Sequence, residues 1–147
     1  MNKIEIEARY EIELEEYIHR IQIEGRVLGD IARNHIIPTA VKYQNILINN
    51  VRGLKDIYGK EFDKYASEQL ILITDISKYI EAINSVVTNM TDERKKANII
   101  EESTKKAQAY CNKVKPLFDK IRYICDKLQI LIDDELWPMA KYIDCLL

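Results

Sequence analysis

The sequence predicts an all-α fold, an up-and-down bundle of three to five long, partly kinked helices. Three observations carry that prediction. Only 4 Gly and 3 Pro punctuate 147 residues, so turns are few and elements long, whereas a sheet protein needs a turn every ~8–12 residues. Apolar residues recur at spacings of three and four, the period of one helical face. A content of 47% hydrophobic and 31% charged residues excludes both a disordered tail and a membrane protein, and the length suffices for a buried core.

The first helix is expected from Lys3 to Ile37. Leu14, Ile18, Ile21, Gly25, Leu28, Ala32 and His35 follow a 4-3 spacing and share a face. Ile6, Tyr10, Tyr17, Val27 and Ile31 broaden it, and early glutamates (Glu5, Glu7, Glu11, Glu13) suit the positive end of the helix dipole. Pro38 removes a backbone donor and disfavours helical geometry at Ile37, which predicts a kink or short break. A second helix is expected from Thr39 to Tyr58, with Val41, Ile46, Ile48, Val51, Leu54 and Ile57 as its apolar residues and Gly59 as its stop.

The third helix is expected to start near Ser67, with Leu70, Ile73, Ile76, Ile80, Ile83, Val87 and Met90 as its face, weakening to Arg94 and Ala97. Thr91-Asp92 either caps a new helix or is absorbed into one long one, and Asn98 is the favoured turn. The final helix spans Glu101 to Asp134, its stripe being Ala107, Tyr110, Val114, Leu117, Ile121, Ile124, Leu128 and Leu131. Pro116 inside that stripe predicts a local kink. Trp137 is expected to fold back against the end of the bundle. One helical domain over residues 1–147 accounts for all of this, with no repeat of 20–50 residues.

Composition and motifs narrow the function classes. A net charge of -2 and a pI near 5.8 argue against a dedicated nucleic-acid binder, whose pI usually exceeds ~9. No signal peptide is visible, and the longest apolar runs fall far short of the ~20 residues of a spanning helix. Three cysteines (Cys111, Cys125, Cys145) without a CxxC fit a reducing cytosol. Cys111 and Cys125 fall beside the stripe of a helix and read as small hydrophobes.

Glu16 and His19, three apart on a helix, are the one local pattern with metal chemistry behind it, but a di-iron site needs two such pairs and two further glutamates. His35 has Ala32 at the matching position. Two histidines do not build a zinc site, and no phosphate-binding or nucleophile-elbow motif is present. Arg94-Lys95-Lys96 and Lys105-Lys106 read as a solvated basic band.

The row Lys42, Asn45, Asn49, Arg52 and Asp56 lies on one side of the second helix by its spacings of three and four. Asparagine is a mediocre helix former, and its repeated use inside a helix suggests side-chain hydrogen bonds to something specific. Beside the plain solvent-face reading stands a sharper one: a docking surface for another domain of the same enzyme.

The stretch from Gly25 to Gly53, GRVLGDIARNHIIPTAVKYQNILINNVRG, is too particular for generic bundle filler. With RYEIELEEYIHRIQIE before it, and AYCNKVKPLFDKIRY and DDELWP after it, it resembles the C-terminal region of type III glutamine synthetases, from about Ala8 to Leu147. The resemblance implies a parent enzyme that makes glutamine from glutamate, ammonia and ATP with magnesium or manganese. In that family the ATP, glutamate, ammonium and metal sites precede this region, so no catalytic, cofactor or metal residue is carried over to this sequence. It implies a cytoplasmic assembly domain, partnered by its own catalytic domain and by neighbouring subunits of a homo-oligomer, with no nucleic acid and no membrane. The isolated chain is expected to show no synthetase activity of its own, although it resembles part of an ATP-dependent glutamate–ammonia ligase. The alternative is a free-standing helical interaction module; a detached synthetase domain is distinguished from it by exposing the apolar patch once covered by its catalytic domain, for which Ile4, Ile6, Ile23 and Leu146-Leu147 are the candidates.

Overall fold

A computed structural model describes residues 2–136, and within them every regular element is helical. Helix α1 spans Lys3–Ile31, α2 Ile37–Tyr58, α3 Asp63–Ile99, α4 Ser103–Ala109 and α5 Lys115–Leu131. Asn2 caps α1: its Oδ1 accepts the Glu5 N–H at 2.9 Å, satisfying one of the orphan donors of a helix start.

Pro38 and Pro116 are accommodated in the same way. A π segment, Ala32–Ile36, joins α1 to α2 and ends two residues before Pro38. A second, Tyr110–Val114, joins α4 to α5 and ends two residues before Pro116. At each, a backbone N–H reaches back five residues, Ile37 to the Ala32 carbonyl and Lys115 to the Tyr110 carbonyl. A proline ring collides with the carbonyl four residues earlier; here those are Asn34 and Asn112, each inside a π segment. Widening the turn by one residue relieves the collision without breaking the helix. The expected kinks are therefore local widenings, and the backbone at Ile31, Ile36 and Ile37 stays helical.

The first widening also shifts the stripe by one position, and this corrects the expected core there. After Ala32 the buried residue is Ile36, and His35 is exposed. After Ile121 the buried residues are Cys125, Leu128, Gln129 and Ile132, while Ile124 and Leu131 are only half-buried. In α2 the buried positions are Thr39, Ala40, Leu47 and Val51; the expected Val41, Ile46 and Ile57 are exposed. Gly59 stops α2 as expected, at φ +59°, a conformation that costs glycine little. Helix α3 starts at Asp63 rather than Ser67, burying Ala66, and absorbs Thr91-Asp92. It runs past Asn98, so the turn falls at residues 100–102.

The chain divides into two compact units, residues 1–30 with 85–122 and residues 31–84 with 123–147. In the first, α3 runs antiparallel to α1: Gly29 faces Val87 and Met90, and Gln22 bonds Asn98. The following segment then runs parallel to α1, pairing Ser103 with Glu11, Tyr110 with Gln22 and Arg122 with Glu24. Gly25 lets this segment approach, because a Cβ there would meet the Phe118 ring at 3.3 Å. The core of this unit includes Ile18, Ile21, Met90, Tyr110, Phe118 and Ile121. In the second unit α2 and α3 form an antiparallel hairpin. Gln44 Nε2 donates to the Ile73 carbonyl at 2.9 Å and to Ser77 Oγ at 2.7 Å, and Asn50 Nδ2 donates to Gln69 Oε1 at 2.7 Å. Tyr58 stacks on Tyr65 across the turn, ring centroids 4.1 Å apart.

Candidate functional site

The row Lys42, Asn45, Asn49, Arg52 and Asp56 is exposed at all five positions, opposite the buried Ala40, Leu47 and Val51 of the same helix. Helical spacing alone dictates this, since residues three and four apart share a side. Asn50, one position off the row, points elsewhere and bonds Gln69. The row thus presents two amides, two cations and a carboxylate along a single solvated side of α2. It is flanked by exposed Val41 on one edge and exposed Ile46 and Ile57 on the other.

In the first unit a shallow open cleft is lined by Glu15, Ile18, His19, Gln22, Glu101, Ser103 and Lys106. Beneath it the buried Tyr110, set within the second π segment, donates its hydroxyl proton to Asn98 Oδ1. Gln22 Nε2 donates to both, to Asn98 Oδ1 at 2.9 Å and to the Tyr110 hydroxyl at 3.0 Å. This closed triangle satisfies a buried phenol, as burial requires, and ties α1 to α3 and to the π segment. No spacing in the sequence announced it, because its three members come from separate elements.

The metal reading of Glu16 and His19 finds no support: both are exposed, and among the described residues no group of three or more His, Cys, Asp or Glu could hold a metal ion. In the basic band, Lys96 lies 3.6 Å from Glu93 and Lys105 3.6 Å from Glu102, as local pairs on exposed faces. The cysteine reading divides. Cys125 is buried, which pushes its thiol up to about 12 with help from nearby Asp126, so it packs as a hydrophobe. Cys111 is exposed, contrary to expectation, and hydrogen bonding with it raises the Tyr17 phenol, with burial adding to the shift. Cys145, Trp137 and Leu146-Leu147 lie outside the described residues. No helix among the described residues is long and apolar enough to cross a membrane.

The class these features define is an all-α packing domain whose distinguishing surface is a polar helix side. Residues 1–55 match the family described as glutamine synthetase C-terminal domain. The relatives carry the likeness through the remainder. A glutamine synthetase of Bacteroides fragilis (strain YCH46) is 44% identical over 142 residues, 96% of this chain and 20% of the relative. A type-3 glutamine synthetase of Dictyostelium discoideum is 23% identical over 99% of this chain and 20% of its own length. A glutamine synthetase of Butyrivibrio fibrisolvens is 24% identical over 95% and 20%. The likeness to the glutamine synthetase C-terminal domain lies over residues 1–55, and the chain spans about one fifth of the length of these relatives.

Proposed function

We propose that these 147 residues act as one helical structural and assembly domain of a type III glutamine synthetase. The single observation that carries this reading is the alignment itself: 96% of the chain pairs with only 20% of its relative. A segment of that proportion has a role beside other parts of a larger polypeptide. In this reading the parent forms glutamine from glutamate, ammonia and ATP, with magnesium or manganese, in the cytoplasm. Its active site lies in the remaining four fifths, and this domain contributes no catalytic residue.

The partners are the catalytic domain of the same polypeptide and neighbouring subunits of a homo-oligomer. The contact surface we assign is the row Lys42, Asn45, Asn49, Arg52 and Asp56. Amides and charges already arrayed on a rigid helix offer directional hydrogen bonds at little conformational cost, and the bordering Val41, Ile46 and Ile57 add apolar area beside them. The test is Asn45→Ala with Asn49→Ala in the full-length polypeptide, followed by sedimentation velocity. Dissociation at concentrations where the parent stays assembled is expected. Unchanged assembly together with unchanged thermal stability would refute the assignment of this row.

A further inference from the structure

The cleft of the first unit takes no part in the polar row on α2, and its own groups form a bed of a different kind. It lies between two hydrogen-bonded clasps on α1. At one end Ser103 Oγ donates to Glu11 Oε2 at 2.9 Å. At the other, Gln22 bonds Asn98 and the Tyr110 hydroxyl. Between the clasps, Glu15, Ile18 and His19 of α1 face Glu101 and Lys106 across an open cleft of about 350 Å³. That volume falls within the ~300–1,000 Å³ of small-molecule sites. Ile18, 7% exposed, is its apolar base, and the clasps hold the two walls in place before any ligand arrives.

The polar groups of this cleft are not committed to one another. Nearby, Lys105 pairs with Glu102 and Lys96 with Glu93, at 3.6 Å each. The half-buried Lys106 forms no ion pair among the described residues, and neither do Glu15 and Glu101. Gln22 donates both of its amide protons within the triangle, so its carbonyl Oε1 remains as an acceptor. Setting one ammonium against two carboxylates leaves one formal negative charge. A complementary ligand therefore carries one carboxylate, two cationic groups and an aliphatic stem.

We propose that this cleft binds a free amino acid with a cationic side chain, of the size and charge of lysine or arginine. The ligand carboxylate pairs with Lys106. Its two cationic groups are taken by Glu15, Glu101 and the Gln22 carbonyl, and its methylene stem lies over Ile18. Ion pairs in a solvated cleft contribute little singly, so the expected dissociation constant is on the order of 1–10 mM. The assignment concerns this chain alone and does not depend on the assembly role of α2.

The test is a titration of the isotope-labelled 147-residue chain with L-lysine, at constant pH and ionic strength, followed by its amide chemical shifts. Saturable shifts are expected at Ile18, His19, Gln22 and Ser103, while the signals of residues distant from the cleft stay in place. L-glutamate, of the wrong charge, and cadaverine, which lacks the carboxylate, should each bind several-fold more weakly. Lys106→Gln and, separately, Glu15→Gln should each weaken L-lysine binding roughly two- to five-fold, and the spectrum of each variant reports whether its fold is kept. No saturable shift below about 50 mM L-lysine, or shifts centred away from the cleft, would overturn the proposal. So would L-glutamate or cadaverine binding as tightly as L-lysine, or binding indifferent to both substitutions. The titration needs no oligomer, so neither result bears on the assembly surface.

Discussion

Gly25, Gly29 and Gly53 are all helical, yet the surroundings give each a different consequence. At Gly53 a Cβ would meet nothing within 4 Å, so Gly53→Ala should stabilise by about 0.5–1 kcal/mol through the lower entropy of the unfolded chain. At Gly29 the nearest atoms are Met90 Cε at 3.5 Å and Val87 Cγ1 at 3.6 Å, ordinary contacts, and Gly29→Ala should also gain. At Gly25 the Phe118 ring stands at 3.3 Å and is itself buried, so overpacking opposes the propensity gain. Urea denaturation should order the stabilities Gly53→Ala and Gly29→Ala above the parent, and Gly25→Ala below it.

Asp126 supplies a pH signature. Burial raises its carboxyl above the ordinary value, and its Oδ1 is enclosed without a hydrogen-bond partner. Between the unfolded and folded values the native state binds more protons, so this group's contribution falls as pH rises through that window and its cost is complete above it. Asp126→Asn should therefore stabilise the protein at pH 7, and the advantage should shrink as pH falls into the ordinary carboxylate range. Thermal melts of both proteins across pH 3–8 measure this; an advantage that grows on acidification would contradict it.

At the scale of elements, the two proline-linked π segments set the limits of what the sequence reveals. A spacing of three and four tracks the core from Ile18 to Ala32, with Leu28 half-buried, and from Ala107 to Ile121. It then misassigns His35 for Ile36, and Ile124 and Leu131 for Cys125 and Ile132. At Ala32–Ile36 the widened turn inserts one residue into the count, and no residue type signals a π turn as strongly as proline signals a kink. The second π segment lies within the correctly tracked stretch, and the half-buried Ile124 and Leu131 merely neighbour the buried Cys125 and Ile132 on a broad face. Position relative to the proline is the usable sign, since both segments end two residues before it. This account predicts that deleting the exposed Asn34 restores regular pairing and keeps both flanking faces in phase. With Pro38 in place the deletion recreates the ring collision and should cost about 3 kcal/mol or more. Combined with Pro38→Ala it should be tolerated within about 1 kcal/mol. Equal losses for the two variants in urea titrations would refute the link between proline and π segment.

At the scale of the molecule, the all-α architecture was legible because scarce turn residues and a persistent helical period leave no other solution. The polar side of α2 was legible too, since exposure follows from spacing. The apolar residues of α2 misled, because Val41, Ile46 and Ile57 are hydrophobic yet exposed. Residue type shows which side chains favour burial but not whether this chain supplies the cover. Ile4, Ile6 and Ile23 of α1 are likewise exposed, and a domain lodged within a larger assembly would have partners for such surfaces.

The central claim is that the domain works as part of a larger synthetase. The most direct measurement is an immunoblot of source-cell lysate with antibody raised against these 147 residues. Since the chain, at 17.3 kDa, spans 20% of its relatives, the account predicts a band roughly five times heavier. A sole band at 17.3 kDa would contradict it and identify a free-standing helical interaction module instead.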